Sequence, residues 1–116
     1  MRFKLIIALV DDNYTDTVLD AAREAGATGA TVVTSARGEG GQKKQTFFGL
    51  TLTGQRDLCL FLVADQLSRD ILEEIAKAGE FDEKPGAGIA FQVNIEDAVG
   101  LTSQLATITQ EIEDQI

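Results

Sequence analysis

Leu58-Cys59-Leu60-Phe61-Leu62-Val63-Ala64 is the run on which the fold turns. It has the length of a strand and carries no polar position. A strand with one face in water alternates apolar and polar residues, whereas a strand covered on both faces reads as continuous hydrophobic sequence. Residues 3–10, Phe-Lys-Leu-Ile-Ile-Ala-Leu-Val, are almost as apolar and are interrupted only by Lys4. Two strands of this kind predict a sheet that is buried on both sides.

Downstream of the run, Asp65 or Ser68 is placed to cap a helix reaching about residue 78, with Leu67, Ile71, Leu72 and Ile75 on its inner face and Gly79 at its end. A glycine-rich loop over 79–88 holds the only proline, Pro85, and a further strand follows at 89–95. Gly100 breaks the chain, and Thr102 or Ser103 opens a C-terminal helix to about 115 with Leu105, Ile108 and Ile112 on one side. Upstream, Thr15 is placed to cap a helix to about 25 that presents Val18, Leu19, Ala22 and Ala25 on one face and ends at Gly26. Residues 28–35 are rich in β-branched side chains and read as a strand. Residues 47–53 read as a short extended arm and 54–57 as a turn. The order is βαββαβ with an added C-terminal helix, an α+β ferredoxin-like arrangement on an antiparallel sheet, in a single domain spanning the chain. Right-handed crossovers put both helices on one face of that sheet. The other face needs a cover, for which a second copy of the chain is simpler than the tail helix, so a homo-oligomer is expected.

Between the second strand and the apolar run lies the one long segment without a core pattern, an exposed loop over about 37–55 that begins Arg37-Gly38-Glu39-Gly40-Gly41-Gln42-Lys43-Lys44. Long glycine-rich loops in compact domains are usually functional or disordered. From Arg37 to Arg56 four cations face one carboxylate, so the segment carries +3 while the chain carries −9 and the remainder −12. A basic loop on an acidic body suits a phosphate-bearing ligand or an acidic partner, although lysines also keep exposed loops soluble. Gly38, Gly40 and Gly41 can turn successive N–H groups toward an anion, or simply supply flexibility. Arg37 suits bidentate contact with a phosphate, or stands as a solvated strand end. Gln42 can ligate an ion or bond a small acid. Phe47 and Phe48 pack the arm on the body or meet a partner.

Several classes are excluded on composition. No histidine is present, and Cys59 stands alone inside an apolar run, so zinc sites, disulfides and cysteine–histidine chemistry are not expected. No nucleophile–base constellation is visible, which argues against an enzyme. The acidic balance argues against nucleic acid. No apolar run is long enough for direct insertion into a membrane. Met1-Arg2-Phe3-Lys4 leads straight into a strand pattern without a small-residue cleavage site, so a signal peptide is not expected and the protein reads as cytoplasmic.

Three stretches in register resemble the P-II nitrogen-regulatory signalling proteins: Glu24-Ala25-Gly26-Ala27-Thr28-Gly29-Ala30-Thr31-Val32, Gly38-Glu39-Gly40 with Gln42-Lys43, and Gly86-Ala87-Gly88-Ile89-Ala90-Phe91. Their order and spacing agree over residues 3 to about 100. The resemblance implies a homotrimer with its sheets inside, and an adenine nucleotide (ATP, ADP or AMP) in clefts between subunits. It implies that the second-strand end, the base of the long loop and the second glycine loop line that cleft. Thr31, Arg37, Gly38, Gly40, Gly41, Gln42, Gly86, Ala87 and Gly88 are the positions so marked. It implies a loop that docks on a membrane transporter or a metabolic enzyme, through Lys43, Lys44, Phe47 and Phe48 here.

The chain also departs from the family pattern. The spacing from Gly29 to Gly38 is one residue longer than usual. Gly41 stands where an arginine is common, and Ala87 and Ile89 stand where an aspartate and a lysine are usual. No lysine or arginine occurs over 97–102, and the only tyrosine is Tyr14, outside the long loop. The expectation is a divergent branch: a ligand-sensing regulator, or alternatively an interaction module that has lost nucleotide binding.

Overall fold

The computed structural model describes residues 2–36, 46–47, 50–51 and 56–100. Strand β1 (Phe3–Asp11) leads into helix α1 (Thr15–Glu24), β2 (Thr31–Ala36), the short strands β3 (Thr46–Phe47) and β4 (Leu50–Thr51), β5 (Arg56–Ala64), helix α2 (Asp65–Ala78) and β6 (Gly88–Asn94). The four long strands form one sheet in the order β2-β5-β1-β6, with every neighbouring pair antiparallel. This is the expected ferredoxin-like βαββαβ fold. The C-terminal helix expected over about 102–115 lies outside the described residues. Within the extended arm expected over 47–53, Phe47 and Leu50–Thr51 lie in two two-residue strands paired Thr46 to Thr51 and Phe47 to Leu50, and the rest lies outside the described residues.

Register explains which strand residues meet the helices. Ile6, Ala8 and Val10 of β1 lie opposite Phe61, Cys59 and Asp57 of β5, and the hydrophobic members of this set are at most 1% exposed. They pack with Val18 and Ala22 of α1 and Ile71 and Ile75 of α2 in one buried cluster. The alternate positions point to the other face. There Leu5, Ile7, Leu58, Leu60, Leu62, Ile89 and Phe91 are only half-buried, and Val33 and Val93 are 48% and 40% exposed. The apolar run at 58–64 is therefore two-sided, as its sequence demands, with helices on one side and, among the described residues, no covering element on the other.

Four local expectations give way to tertiary contacts. Thr15 is the first residue of α1, not its cap; Tyr14 holds the cap position without a side-chain bond. The Thr15 hydroxyl instead donates to Asp57 Oδ2 at 2.6 Å. Helix α2 starts at once from Ala64, also without a side-chain cap, because β5 runs straight into it; the Ser68 hydroxyl donates back to the Asp65 carbonyl. Strand β2 starts at Thr31 rather than 28, since its ladder with β5 begins only where Thr31 meets Leu60. Of the turn expected over 54–57, Arg56 and Asp57 are already in β5 opposite Asp11 and Val10, and 54–55 lie outside the described residues.

Candidate functional site

One end of the sheet gathers the loops. There β1 ends at Asp11, β2 ends at Ala36, β5 begins at Arg56 and β6 begins at Gly88. Asp11 and Ala36 are the two register partners of Arg56. The end of β2 and the start of β6 stand at opposite edges of the sheet, with Arg56 of β5 and Asp11 of β1 between them.

Arg56 is the central side chain of this end. Charge counting places it with the solvated cations of the long loop, but it is 9% exposed. By alternation it belongs with Leu58, Leu60 and Leu62 on the uncovered face. Its guanidinium donates from Nη2 to the Gly86 carbonyl at 2.7 Å and from Nη1 to the Ala87 carbonyl at 2.9 Å. Its Nε is buried without a protein partner among the described residues. The Ala87 carbonyl also accepts the Asp11 N–H at 3.4 Å, and the Ala87 N–H donates to the Lys84 carbonyl at 3.0 Å.

The loop is held from its other flank by Tyr14. Lys84 Nζ donates to the Tyr14 hydroxyl at 2.6 Å and lies 5.3 Å from the ring centroid. Lys84 also pairs with Glu80 at 3.2 Å. Hydrogen bonds from Tyr14 and then Lys84 hold the Glu80 carboxyl below its ordinary value, and hydrogen bonds to Tyr14 and then Glu80 raise the Lys84 ammonium. Glu80 takes the left-handed conformation at φ 55°, whereas Gly79 is right-handed at φ −85°. Gly79 therefore does not end α2 by its φ: the Phe81 ring occupies the space its Cβ would need.

The glycines of this loop differ in cause. Gly86 has φ +78° and open space where a Cβ would stand, so backbone conformation alone demands glycine. A Cβ at Gly88 would meet the Phe81 ring and the Leu9 carbonyl oxygen at 2.7 Å, so close packing demands it.

Thr31 is exposed on β2, on the uncovered face. It lines a cleft of about 190 Å³ with Phe3, Gly29, Leu60 and Leu62. Five residue steps of strand, roughly 16 Å, separate it from Ala36. A single chain therefore brings Gly86 and Ala87 to Arg56 at the start of β5 and Gly88 beside Val10 of β1, but leaves Thr31 apart. Phe47 lies in β3. Arg37, Gly38, Gly40, Gly41, Gln42, Lys43, Lys44 and Phe48 lie outside the described residues. Among the described residues, no cluster of metal-ligating side chains occurs and no helix is long and apolar enough to cross a membrane.

Sequence reasoning missed Arg56 and Tyr14. A signal for Arg56 was present, since it stands in phase with Leu58, Leu60 and Leu62. None existed for Tyr14, whose partner Lys84 lies 70 positions away.

The profile of the family described as "Nitrogen regulatory protein P-II" matches residues 3–104. Among curated proteins no significant match is found. A solved structure from Thermus thermophilus, assigned as a PII-like signaling protein, superposes with a TM-score of 0.57 at 22% identity, covering 82% of this chain and 88% of that one. That likeness supports the fold.

Proposed function

Because the chain belongs to the nitrogen regulatory protein P-II family, and is thus a signal-transduction regulator and not an enzyme, we propose that it acts as a trimeric ligand sensor. In this reading it binds an adenine nucleotide between subunits and controls a transporter or metabolic enzyme through its long loop. The observation that carries the reading is the meeting of the second glycine loop with the start of β5, where Arg56, the register neighbour of Ala36 at the end of β2, holds the Gly86 and Ala87 carbonyls. The uncovered apolar face supports assembly, because half-buried leucines on a sheet favour a second copy over water.

One feature favours the second reading, an interaction module without nucleotide. The cation-bearing positions of the family are neutral here at Gly41 and Ile89, and Ala87 stands in place of the usual aspartate. Charge-assisted hydrogen bonds contribute about 1.5–3 kcal/mol each, so the missing contacts weaken a triphosphate most.

Calorimetric titration with ATP, ADP and AMP is the deciding experiment. The sensor reading expects saturable binding with ADP and AMP within about tenfold of ATP. No heat from any of the three at millimolar concentration would leave the interaction module. A hundredfold preference for ATP would mean that other cations clamp the terminal phosphate.

A further inference from the structure

We propose that Arg56 is the positioning residue of the second glycine loop, fixing the direction in which Gly86 and Ala87 present their peptide groups. Strand β1 lies between β5 and β6, so the Arg56 side chain crosses the end of β1 to reach the loop that precedes β6. Its two terminal nitrogens fall on two successive carbonyls at 2.7 and 2.9 Å. A planar guanidinium engages two acceptors at once in fixed geometry, which an ammonium does not. Both peptide planes are thereby oriented together.

Within the loop, the Ala87 N–H on the Lys84 carbonyl closes a turn with Pro85 and Gly86 at its centre. That turn accounts for the φ of +78° at Gly86, and the Arg56 fork sets where the turn sits against the sheet. The opposite anchor, Lys84 on Tyr14, is exposed, and exposed contacts of this kind contribute little. The Arg56 side chain is buried and its two bonds part-buried, so they are less screened than the Lys84 contact. Register ties the same residue to Asp11 and Ala36, so the loop is set relative to the ends of three strands. The proposal rests on the nucleotide reading above only where affinity is measured; the placement of the loop stands independently of any ligand.

The test is amide hydrogen exchange in Arg56→Met, which keeps the apolar stem and removes every donor, and in Arg56→Lys, which keeps the charge without the fork. The reporting amides are those of Ala87, bonded to the Lys84 carbonyl, and Lys84, bonded to the Glu80 carbonyl. Both should exchange at least about tenfold faster in Arg56→Met, while the amides of Ile6 and Ala8 in the core strand keep their wild-type rates. Arg56→Lys should fall between. In Arg56→Ala, millimolar guanidinium chloride should restore slow exchange by occupying the vacated position. A structural filler would show no such rescue. ADP affinity should fall at least about tenfold in Arg56→Met and recover in the rescued variant. Wild-type exchange at Lys84 and Ala87 in Arg56→Met would overturn the proposal. So would a uniform acceleration that includes Ile6 and Ala8, because it would assign Arg56 to global stability. Faster loop exchange in a protein whose wild type binds no nucleotide would uphold the positioning role and dismiss the ligand.

Discussion

Thr15 and Asp57 are joined by a 2.6 Å hydrogen bond across 42 positions of sequence, both side chains less than a tenth exposed. The bond fastens the first turn of α1 to the beginning of β5. A hydroxyl donating to a buried carboxylate is a charge-assisted bond, and its loss leaves part of a desolvated charge uncompensated. Thr15→Val should therefore lower unfolding stability by about 1.5–3 kcal/mol. Urea denaturation at one fixed protein concentration measures it. A loss below about 0.5 kcal/mol would mean that the other contacts of Asp57 suffice.

Cys59 should be inert in the native protein. Burial, and then the neighbouring Asp57 carboxylate, push its thiol from 9.0 up to about 11. The thiolate is the reactive form, so a thiol reagent at pH 8 should label Cys59 only as the protein unfolds. The pH dependence has a defined sign. Above pH 9 the unfolded thiol ionises while the folded one stays protonated, so stability should fall between pH 9 and 11. Cys59→Ala should flatten that limb, and an unchanged slope would assign it to other groups.

Assembly should depend on the face opposite the helices. Leu60 lies mid-strand in β5 between Ile7 and Thr31. Leu60→Glu places a carboxylate there without touching the cluster of Ile6, Val18, Phe61 and Ile71. Sedimentation should show a trimer for the wild type and smaller species for the variant, with circular dichroism unchanged. A wild-type monomer at micromolar concentration would refute the assembly.

Partner attraction should be electrostatic and should reside in Lys43 and Lys44. Replacing both with glutamate changes the segment from +3 to −1. Association should slow, and the wild-type interaction should weaken with salt. Co-purification from the native host, wild type beside the double variant, reads this out. Identical partner sets would leave the lysines as solubilising residues.

The fold was legible because its decisive signals are periodic. The unbroken apolar run at 58–64 named a two-sided strand, and helices with Ile71, Ile75, Val18 and Ala22 inward announced their buried faces. Loop-borne detail was less legible, because distant partners decide it. Thr15 reads as a cap from its neighbours, but Asp57 claims its hydroxyl. Gly79 reads as a helix stop, while a ring two residues on is the reason for it. Arg56 reads as loop charge until the register of β5 puts it opposite Asp11. Within the candidate site, the glycine positions 86 and 88 were visible, whereas the side chain that holds their loop was not.

The Phe81 ring imposes an order on how this chain can change. It fills the space beside both Gly79 and Gly88. A side chain at position 79 becomes admissible once a smaller residue replaces Phe81, because the ring is the obstacle there. Position 88 stays closed after the same replacement, since the Leu9 carbonyl is backbone and remains. The two glycines therefore have unequal histories open to them. A change at 79 asks only that the ring at 81 shrink or turn aside, whereas a change at 88 meets backbone as well.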